Sequence, residues 1–239
     1  MQRIFIDKEQ LDDVNNTIKI TGQDVNHIKN VLRYEIGDKL EIVADEKVYL
    51  GEIIEILPEY IICKIEPVLE NIQQRKIFLN IVQGLPKADK MELIIQKGVE
   101  LGVSEITPLQ LNRCIVKLDE KTENKKIERW QKIAKSAAEQ SKRNIIPKVN
   151  NVYNIEKIFE LLKDYDIVFV AYENEQKNTL KSEIEELKKL NKMDLKIAVI
   201  IGPEGGIEEK EIEKLIQKRC QKHFVRKKNI KNRNCVTGI

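Results

Sequence analysis

Cysteine and histidine are scarce in this sequence, and neither occurs at a spacing that holds a metal. The 239 residues contain 4 cysteines and 2 histidines, and no two cysteines form a CxxC pair. A structural zinc or an iron–sulfur cluster needs ligands that are clustered in this way. The sequence therefore predicts no metal site, and its few, scattered cysteines are typical of a protein from the reducing cytoplasm.

Long apolar runs and common nucleotide-binding loops are also missing. No apolar run approaches the roughly 20 residues that a membrane-spanning helix requires, and the opening MQRIFIDKEQ has no apolar core of a secretory signal. We therefore expect no membrane partner and a cytoplasmic location. GxGxxG and the Lys-Ser/Thr of a P-loop are absent as well. The 41% of hydrophobic and 34% of charged residues describe a globular protein.

Charge is distributed unevenly along the chain. The net charge is +3, but residues 1–71 hold 8 Lys and Arg against 15 Asp and Glu, a balance of −7. The remainder therefore carries +10. A polyanion would be attracted mainly to the second part, although solvated charged surfaces are an equally good explanation of this balance.

The hydrophobic pattern predicts two domains, 1–71 and 75–239, separated by the polar segment ENIQQRK (70–76). In the first domain, short β-rich stretches suggest a small barrel, with one helical turn at 24–33. In the second, strands alternate with helices, which indicates a mostly parallel α/β sheet. Its predicted strands are 77–84, 104–109, 166–172 and 195–202. The first predicted helix has Met91, Ile94, Ile95 and Val99 on one face and ends at Gly102, and the others cover 125–141, 182–190 and 207–220.

A glycine-rich turn stands between the last predicted strand and helix, in IIGPEGGIEEKEIEKL (200–215). A parallel strand that ends in such a turn places a ligand at the carboxyl edge of the sheet. Gly205 and Gly206 allow the main chain to approach a ligand closely. A merely tight connection is the alternative reading of the turn.

Arginines and amides lie near the ends of several predicted elements. Asn112 and Arg113 follow a strand, Gln140, Ser141 and Arg143 follow the long helix, and Arg3 and Arg33 lie in the first domain. A surface ion pair is the usual role of a single arginine. Four of them together with a polar Gln-Ser pair near element ends favour a functional site over four separate ion pairs.

Several blocks of sequence together resemble the 16S ribosomal RNA (uracil-N3) methyltransferases, which are SPOUT-type enzymes with a PUA-like amino-terminal domain. The resemblance covers nearly the whole chain at matching spacing. The blocks are MQRIF (1–5), HIKNVLRYEIGD (27–38), KADKMELIIQKGVELGVSEITPL (87–109), NRCIVKL (112–118), RWQKIAKSAAEQSKRNIIP (129–147) and IGPEGG (201–206).

The resemblance implies a trefoil-knotted α/β domain that binds S-adenosylmethionine, a homodimer, and methylation of N3 of one uridine of the small ribosomal subunit. Carried over residue by residue, it implies two sets of site residues. The cofactor would contact Leu109, Ile201, Gly202, Glu204, Gly205 and Gly206, and RNA would contact Arg3, Arg33, Arg113, Gln140, Ser141 and Arg143.

The expected chemistry needs a positive group and no metal. N3–H of uracil is a weak acid, and a guanidinium beside a ring oxygen stabilises the anion that forms when this proton leaves. Arg143 or Arg113 is the expected electrostatic catalyst. The residues identify no general base. They also do not indicate which nucleotide is modified, or whether the substrate is free rRNA or the assembled subunit.

The carboxyl-terminal sequence departs from the family pattern. An L-G-x-R/K-I-L-R-T-E-T-A block is expected, but residues 223–235 are HFVRKKNIKNRNC. Synonymous codons for this segment, read one base later, encode ILLGKKILRTETA. We therefore interpret residues 223–235 as a frame-shifted copy of the block, and we expect weak cofactor binding because cations would replace apolar residues there. A catalytically silent RNA-binding dimer is the alternative function.

Overall fold

The computed structural model describes residues 1–68, 77–171 and 194–217, together with the backbone of a strand at 225–228. The predicted linker 70–76 and the predicted helix 182–190 lie outside the described residues. Contacts divide the chain into two compact units, and the first is discontinuous in sequence. It comprises Met1–Gln73 and Ala138–Ile145, whereas the second comprises Gln74–Ala137 and Ile146–Ile239. Each is described by itself below.

The first unit contains a six-stranded sheet in the order β1-β4-β5-β6-β3-β2. β1 is parallel to β4, and the other neighbours are antiparallel. Buried and exposed side chains alternate along much of β3 to β6, which explains the β-rich pattern of the sequence there, whereas β1 and β2 were not predicted. The strands are β1 (Arg3–Phe5), β2 (Leu11–Asp12), β3 (Thr17–Thr21), β4 (Lys39–Ala44), β5 (Lys47–Ile56) and β6 (Tyr60–Pro67).

Isoleucine dominates the core of this unit. Ile18, Ile20, Ile42, Ile53 and Ile61 are all fully buried, as expected of β-branched side chains on the inner face of a sheet. The predicted helical turn covers this core as a short helix, α1 (Gln23–Asn26), followed by a π-turn at His27–Val31. A 3₁₀ turn covers Lys8–Gln10.

The second unit contains a parallel sheet in the order β10-β8-β7-β12-β11-β13, with β9 paired to β8. Its central strands are buried on both faces, which is why they are continuous apolar runs in the sequence. The strands are β7 (Ile77–Gly84), β8 (Glu105–Gln110), β9 (Lys148–Val149), β10 (Tyr153–Asn154), β11 (Ile167–Ala171), β12 (Leu195–Ile201) and β13 (Val225–Lys228).

Four helices accompany this sheet among the described residues: α2 (Lys90–Glu100), α3 (Glu120–Gln140), α4 (Ile158–Leu162) and α5 (Glu209–Gln217). α2 buries Met91, Ile95 and Val99, which lie three to four positions apart on one face. α3 starts at Glu120 rather than at the predicted Lys125. Within the described ranges, no helix is long and apolar enough to cross a membrane.

A polar network lies inside the second unit, where side chains of β7 and β8 bond to Asn150 and Tyr165. The Thr107 hydroxyl donates to Asn80 Oδ1 at 3.1 Å, and Asn150 Nδ2 donates to Thr107 Oγ1 at 2.8 Å. Asn80 Nδ2 donates to the Tyr165 oxygen at 2.7 Å, and the Tyr165 hydroxyl donates to Glu105. Burial and the Glu105 carboxylate raise the pKa of Tyr165, so the phenol stays protonated.

Candidate active site at the glycine turn

The glycine-rich turn lies at the carboxyl end of β12, in the middle of the parallel sheet. The register pairs Ile201 with Gln83 and pairs Gly84 with Leu109, so that β8, β7 and β12 end side by side. The structure thus brings Leu109 and the glycine turn to the same edge of the sheet. Ligands bind at this edge in open α/β sheets.

Two glycines are required by the local geometry. Gly206 has φ of +72°, and its N–H donates to Pro203 O at 2.9 Å to close the turn. Gly84 lies directly beneath the turn, where an added Cβ would be 2.6 Å from Pro203 Cδ and 2.7 Å from its nitrogen. A side chain at Gly84 would therefore push the turn away from β7.

Glu204 is held by residues at the start of α2. Lys90 Nζ donates to Glu204 Oε1 at 2.7 Å, and the Lys87 N–H donates to Glu204 Oε2 at 3.2 Å. Partial burial alone would raise the pKa of this carboxyl, but the bonds from Lys90 and Lys87 dominate and lower it. Glu204 is therefore a carboxylate at neutral pH, and it fixes one side of the turn.

Arg113 holds the other side of the turn. Its Nη1 donates to Gly205 O at 3.0 Å, and its Cβ would be 3.3 Å from a Cβ added at Gly205. The arginine side chain is nevertheless exposed. A guanidinium has five N–H groups, so one bond to the main chain leaves others able to meet a ligand.

The buried carboxylate of Glu211 locks the loop that carries Arg113 onto α5. Glu211 is 3% exposed and accepts the Asn112 N–H at 3.0 Å and the Glu208 N–H at 3.1 Å. The second bond is the reach of an N3 glutamate back to the helix N-cap, one half of a capping box. Sequence reasoning missed this residue, although a glutamate within the first turn of the predicted helix 207–220 was the available signal.

A pocket of about 440 Å³ opens at the same edge, beside the ends of β8 and β10. Asn112 and Glu211 line it together with Gln110, Lys117 and Asn154. The residues predicted to contact the cofactor do not line this pocket. Leu109 and Ile201 are instead only 0% and 5% exposed as whole residues.

The remaining predicted RNA-contact residues belong to the first unit. Arg33 is exposed and has φ of +56°. Gln140 is exposed at the last position of α3, Ser141 is half-buried, and Arg143 is half-buried with its N–H bonded to Ala138 O. Burial lowers the pKa of the Arg143 guanidinium.

Arg3 differs from the other three arginines because it is buried. Its side chain is enclosed by Glu41, Lys142 and Asn144 rather than presented to solvent. The structure therefore gives the four arginines different surroundings: Arg113 lies at the glycine turn, Arg33 and Arg143 on other elements, and Arg3 in an interior ion pair.

Comparison with known proteins agrees with this architecture. The chain matches the models of an RNA methyltransferase domain over residues 73–228 and of an RNA methyltransferase PUA domain over residues 20–66. The chain therefore belongs to the RNA methyltransferase family that combines these two domains. The expected SPOUT-type α/β fold and amino-terminal PUA domain are confirmed, while the knot and the homodimer stay predictions.

Within this family, the chain is similar to ribosomal RNA small subunit methyltransferase E of Bacillus subtilis, with 37% identity over 91% of this chain and 86% of that protein. A crystal structure of a hypothetical protein is 36% identical, with a TM-score of 0.81 over 94% of this chain and 89% of the other. A Legionella pneumophila methyltransferase structure, described as a complex with SAM, is 25% identical, with a TM-score of 0.76 over 96% and 89%.

Proposed function

We propose that this chain is an S-adenosylmethionine-dependent methyltransferase that modifies N3 of a uridine in 16S rRNA of the small ribosomal subunit. The observation that carries the proposal is the bond from Arg113 to Gly205 O. It fixes a cation at the exposed glycine turn of a chain whose relatives include a small-subunit rRNA methyltransferase.

The residues of the turn fit the cofactor. Glu204 and Gly205 are exposed, and Gly205 and Gly206 carry no side chain, so the main chain there is accessible to a ligand. Ile201, Gly202, Glu204, Gly205 and Gly206 would hold the cofactor with Leu109. When bound, it supplies an activated methyl group, and the protein has to align that group with the acceptor nitrogen.

Arg113 would make the acceptor nitrogen nucleophilic. The lone pair of neutral N3 is delocalised into the ring carbonyls, so N3 attacks a methyl carbon only after its proton has left. A guanidinium that donates to O2 or O4 stabilises the resulting anion and lowers the pKa of N3–H. Because one N–H of Arg113 is bonded to Gly205 O, the side chain is held before substrate binds. Arg143 is the second candidate for this role.

The partners follow from this substrate. We propose that Arg33, Arg143, Gln140 and Ser141 contact the RNA, that the active form is a homodimer, and that the protein acts in the cytoplasm. RNA would bind with a strong dependence on salt, because each phosphate contact releases a counterion.

Mass spectrometry of the modified nucleoside tests the proposed reaction. Unmethylated 16S rRNA, free or in assembled small subunits, is incubated with the cofactor and with the chain in which residues 223–235 are replaced by ILLGKKILRTETA. We expect 3-methyluridine at one position, and comparison of the two substrates tells which form is used. Methylation of a carbon, a ribose or another base would contradict the proposal.

A silent RNA-binding dimer is the second candidate, and the sequence at residues 223–235 favours it for the chain as it stands. In the described backbone, Val225–Lys228 still joins the sheet as β13, parallel to β11. Calorimetry with S-adenosylmethionine separates the two functions: salt-dependent RNA binding without cofactor binding supports the silent protein.

A further inference from the structure

Arg3 is one of the most constrained side chains of the first unit. It is 5% exposed, and its guanidinium makes three short hydrogen bonds. Nε donates to Glu41 Oε2 at 2.8 Å, and Nη1 donates to Lys142 O and to Asn144 Oδ1, both at 2.6 Å. Two of these three acceptors belong to a turn about 140 positions later in the chain. An arginine used in this way has little surface left for a nucleic acid.

The same turn is tied a second time through Glu41. Lys142 Nζ donates to Glu41 Oε2 at 2.9 Å and also to Met1 O. Burial alone would raise the pKa of Glu41, but its bonds with Lys142 and Arg3 lower it. One carboxylate thus joins two cations, one from β1 and one from the turn after α3.

The backbone of the turn needs such support. Lys142 has φ of +58°, a left-handed conformation that costs a residue with a side chain about 1 kcal/mol or more. The fold also treats the segment as part of the first unit: Ala138–Ile145 clusters with Met1–Gln73, while the rest of α3 belongs to the second unit. The side chains of Arg3 and Lys142 form hydrogen bonds between these two stretches of the chain.

We propose that Arg3 is a positioning residue for RNA recognition: with Glu41 it holds the Lys142–Asn144 turn, and so fixes Arg143 on the N-terminal unit. This inference rests on the proposed function, because Arg143 is taken there as an RNA contact. It replaces the expectation that Arg3 itself contacts RNA. The N-terminal unit then contributes to RNA binding through a segment that lies outside its own stretch of sequence.

Glu41→Gln tests the proposal because positioning and direct contact predict opposite signs. If Arg3 met phosphates directly, removing a neighbouring negative charge would leave RNA binding unchanged or strengthen it. If Glu41 holds the turn, its loss weakens binding by about tenfold, the effect of losing one specific contact. The probe is a 16S rRNA transcript titrated by fluorescence anisotropy at several salt concentrations. Glu52→Gln, on the neighbouring strand β5, removes an equal charge from an exposed pair with Lys39 and is the matched control.

Arg3→Lys is the second variant. Lysine keeps the charge but cannot reproduce the fork that joins Glu41, Lys142 and Asn144. We expect it to weaken RNA binding as much as Glu41→Gln does, and preserved binding would overturn the positioning role. Hydrogen exchange of the amides of residues 141–145 reports the turn without RNA, and both variants should speed it relative to Glu52→Gln.

The exchange measurement also separates this inference from the proposed function. If the wild-type chain does not bind the transcript, the proposed function fails, while faster exchange in Glu41→Gln still supports the tether. If exchange in residues 141–145 is unchanged in both variants, the tether is overturned whatever the RNA result.

Discussion

Arg113 donates from Nη1 to the main-chain oxygen of Gly205, 92 positions later in the chain, at 3.0 Å. The bond links the loop after β8 to the turn after β12, two connections that follow different strands of the same sheet. It orients a cation beside Gly205 and Gly206, which have no side chains.

Arg113→Ala should lower the rate of methyl transfer by about 100-fold, as removal of a transition-state hydrogen-bond donor does in other enzymes. The measurement is single-turnover transfer to 16S rRNA in the chain with residues 223–235 restored. The loss should shrink as pH rises, because a higher pH ionises N3 without help from the guanidinium. Arg143→Ala is the comparison. If this variant loses activity to the same extent at every pH, Arg143 acts in RNA binding. If the two variants exchange these behaviours, Arg143 is the catalyst.

Gly84→Ala should weaken cofactor binding and destabilise the protein by about 1–3 kcal/mol, because the new methyl group overlaps Pro203. Urea unfolding and calorimetry measure the two effects. Gly102→Ala is the control: it has φ of +98° but nothing within 4 Å of an added Cβ, so it costs about 1–2 kcal/mol of backbone strain and leaves cofactor binding intact. Equal cofactor affinities in the two variants would show that the close contact between Gly84 and Pro203 is not needed for cofactor binding.

Thr107→Val should destabilise the protein by about 1–3 kcal/mol, since the isosteric change leaves the buried amides of Asn80 and Asn150 short of a partner. The midpoint of urea unfolding measures this loss. Thr17→Val, at a half-buried strand position, is expected to change stability by less than about 0.5 kcal/mol. A neutral result for Thr107→Val would mean that water or a shifted side chain replaces the hydroxyl.

Acid should loosen the first unit through Glu41. Its pKa is lowered from the ordinary value of 4.5 in the folded protein, so its stabilising contribution is complete above pH 4.5 and is lost as pH falls through the lower folded value. Glu41→Gln should therefore lower the unfolding temperature at pH 7 and flatten its decline below pH 4.5. If the unfolding temperature falls equally steeply below pH 4.5 in both proteins, a carboxylate other than Glu41 causes the loss of stability.

Replacing residues 223–235 with ILLGKKILRTETA should strengthen S-adenosylmethionine binding, because it lowers the five cations of this segment to three and supplies apolar side chains where the segment is expected to pack beside the cofactor. Calorimetry on both chains measures the difference. Sequencing of the source gene across this region is an independent test, and an uninterrupted reading frame in several isolates would refute the frame-shift interpretation.

The sequence predicted those elements whose burial pattern is regular over many residues. β7, β8, β11 and β12 lie within about one residue of their predicted bounds, because a strand buried on both faces is a continuous apolar run in the sequence. The short elements were missed. β9 and β10 have two residues each and α4 has five, which is too few for any period to show.

For the candidate site, the sequence indicated which residue types matter but not what they contact. The glycine turn was predicted because a glycine-rich strand end is a local signal. Lys90 was missed because its partner Glu204 lies 114 positions later, and the bond from the Asn112 N–H to Glu211 spans 99 positions. Arg3 and Arg113 look alike as single arginines, yet one is buried in an ion pair and the other is exposed at the turn. The two differ only in which distant segment of the chain folds against each of them, which the local sequence does not show.

The discontinuity of the first unit affects how it is made. Its strands are complete once residue 67 has been synthesised, but Lys142 and Asn144 emerge from the ribosome some 75 residues later, at the usual 5–20 residues per second. Until then the guanidinium of Arg3 can bond to the carboxylate of Glu41, but neither group can bond to Lys142 or Asn144. A fragment that ends at residue 71 would stay in that state, and a fragment that begins at residue 75 would carry the eight missing residues without the surface that receives them.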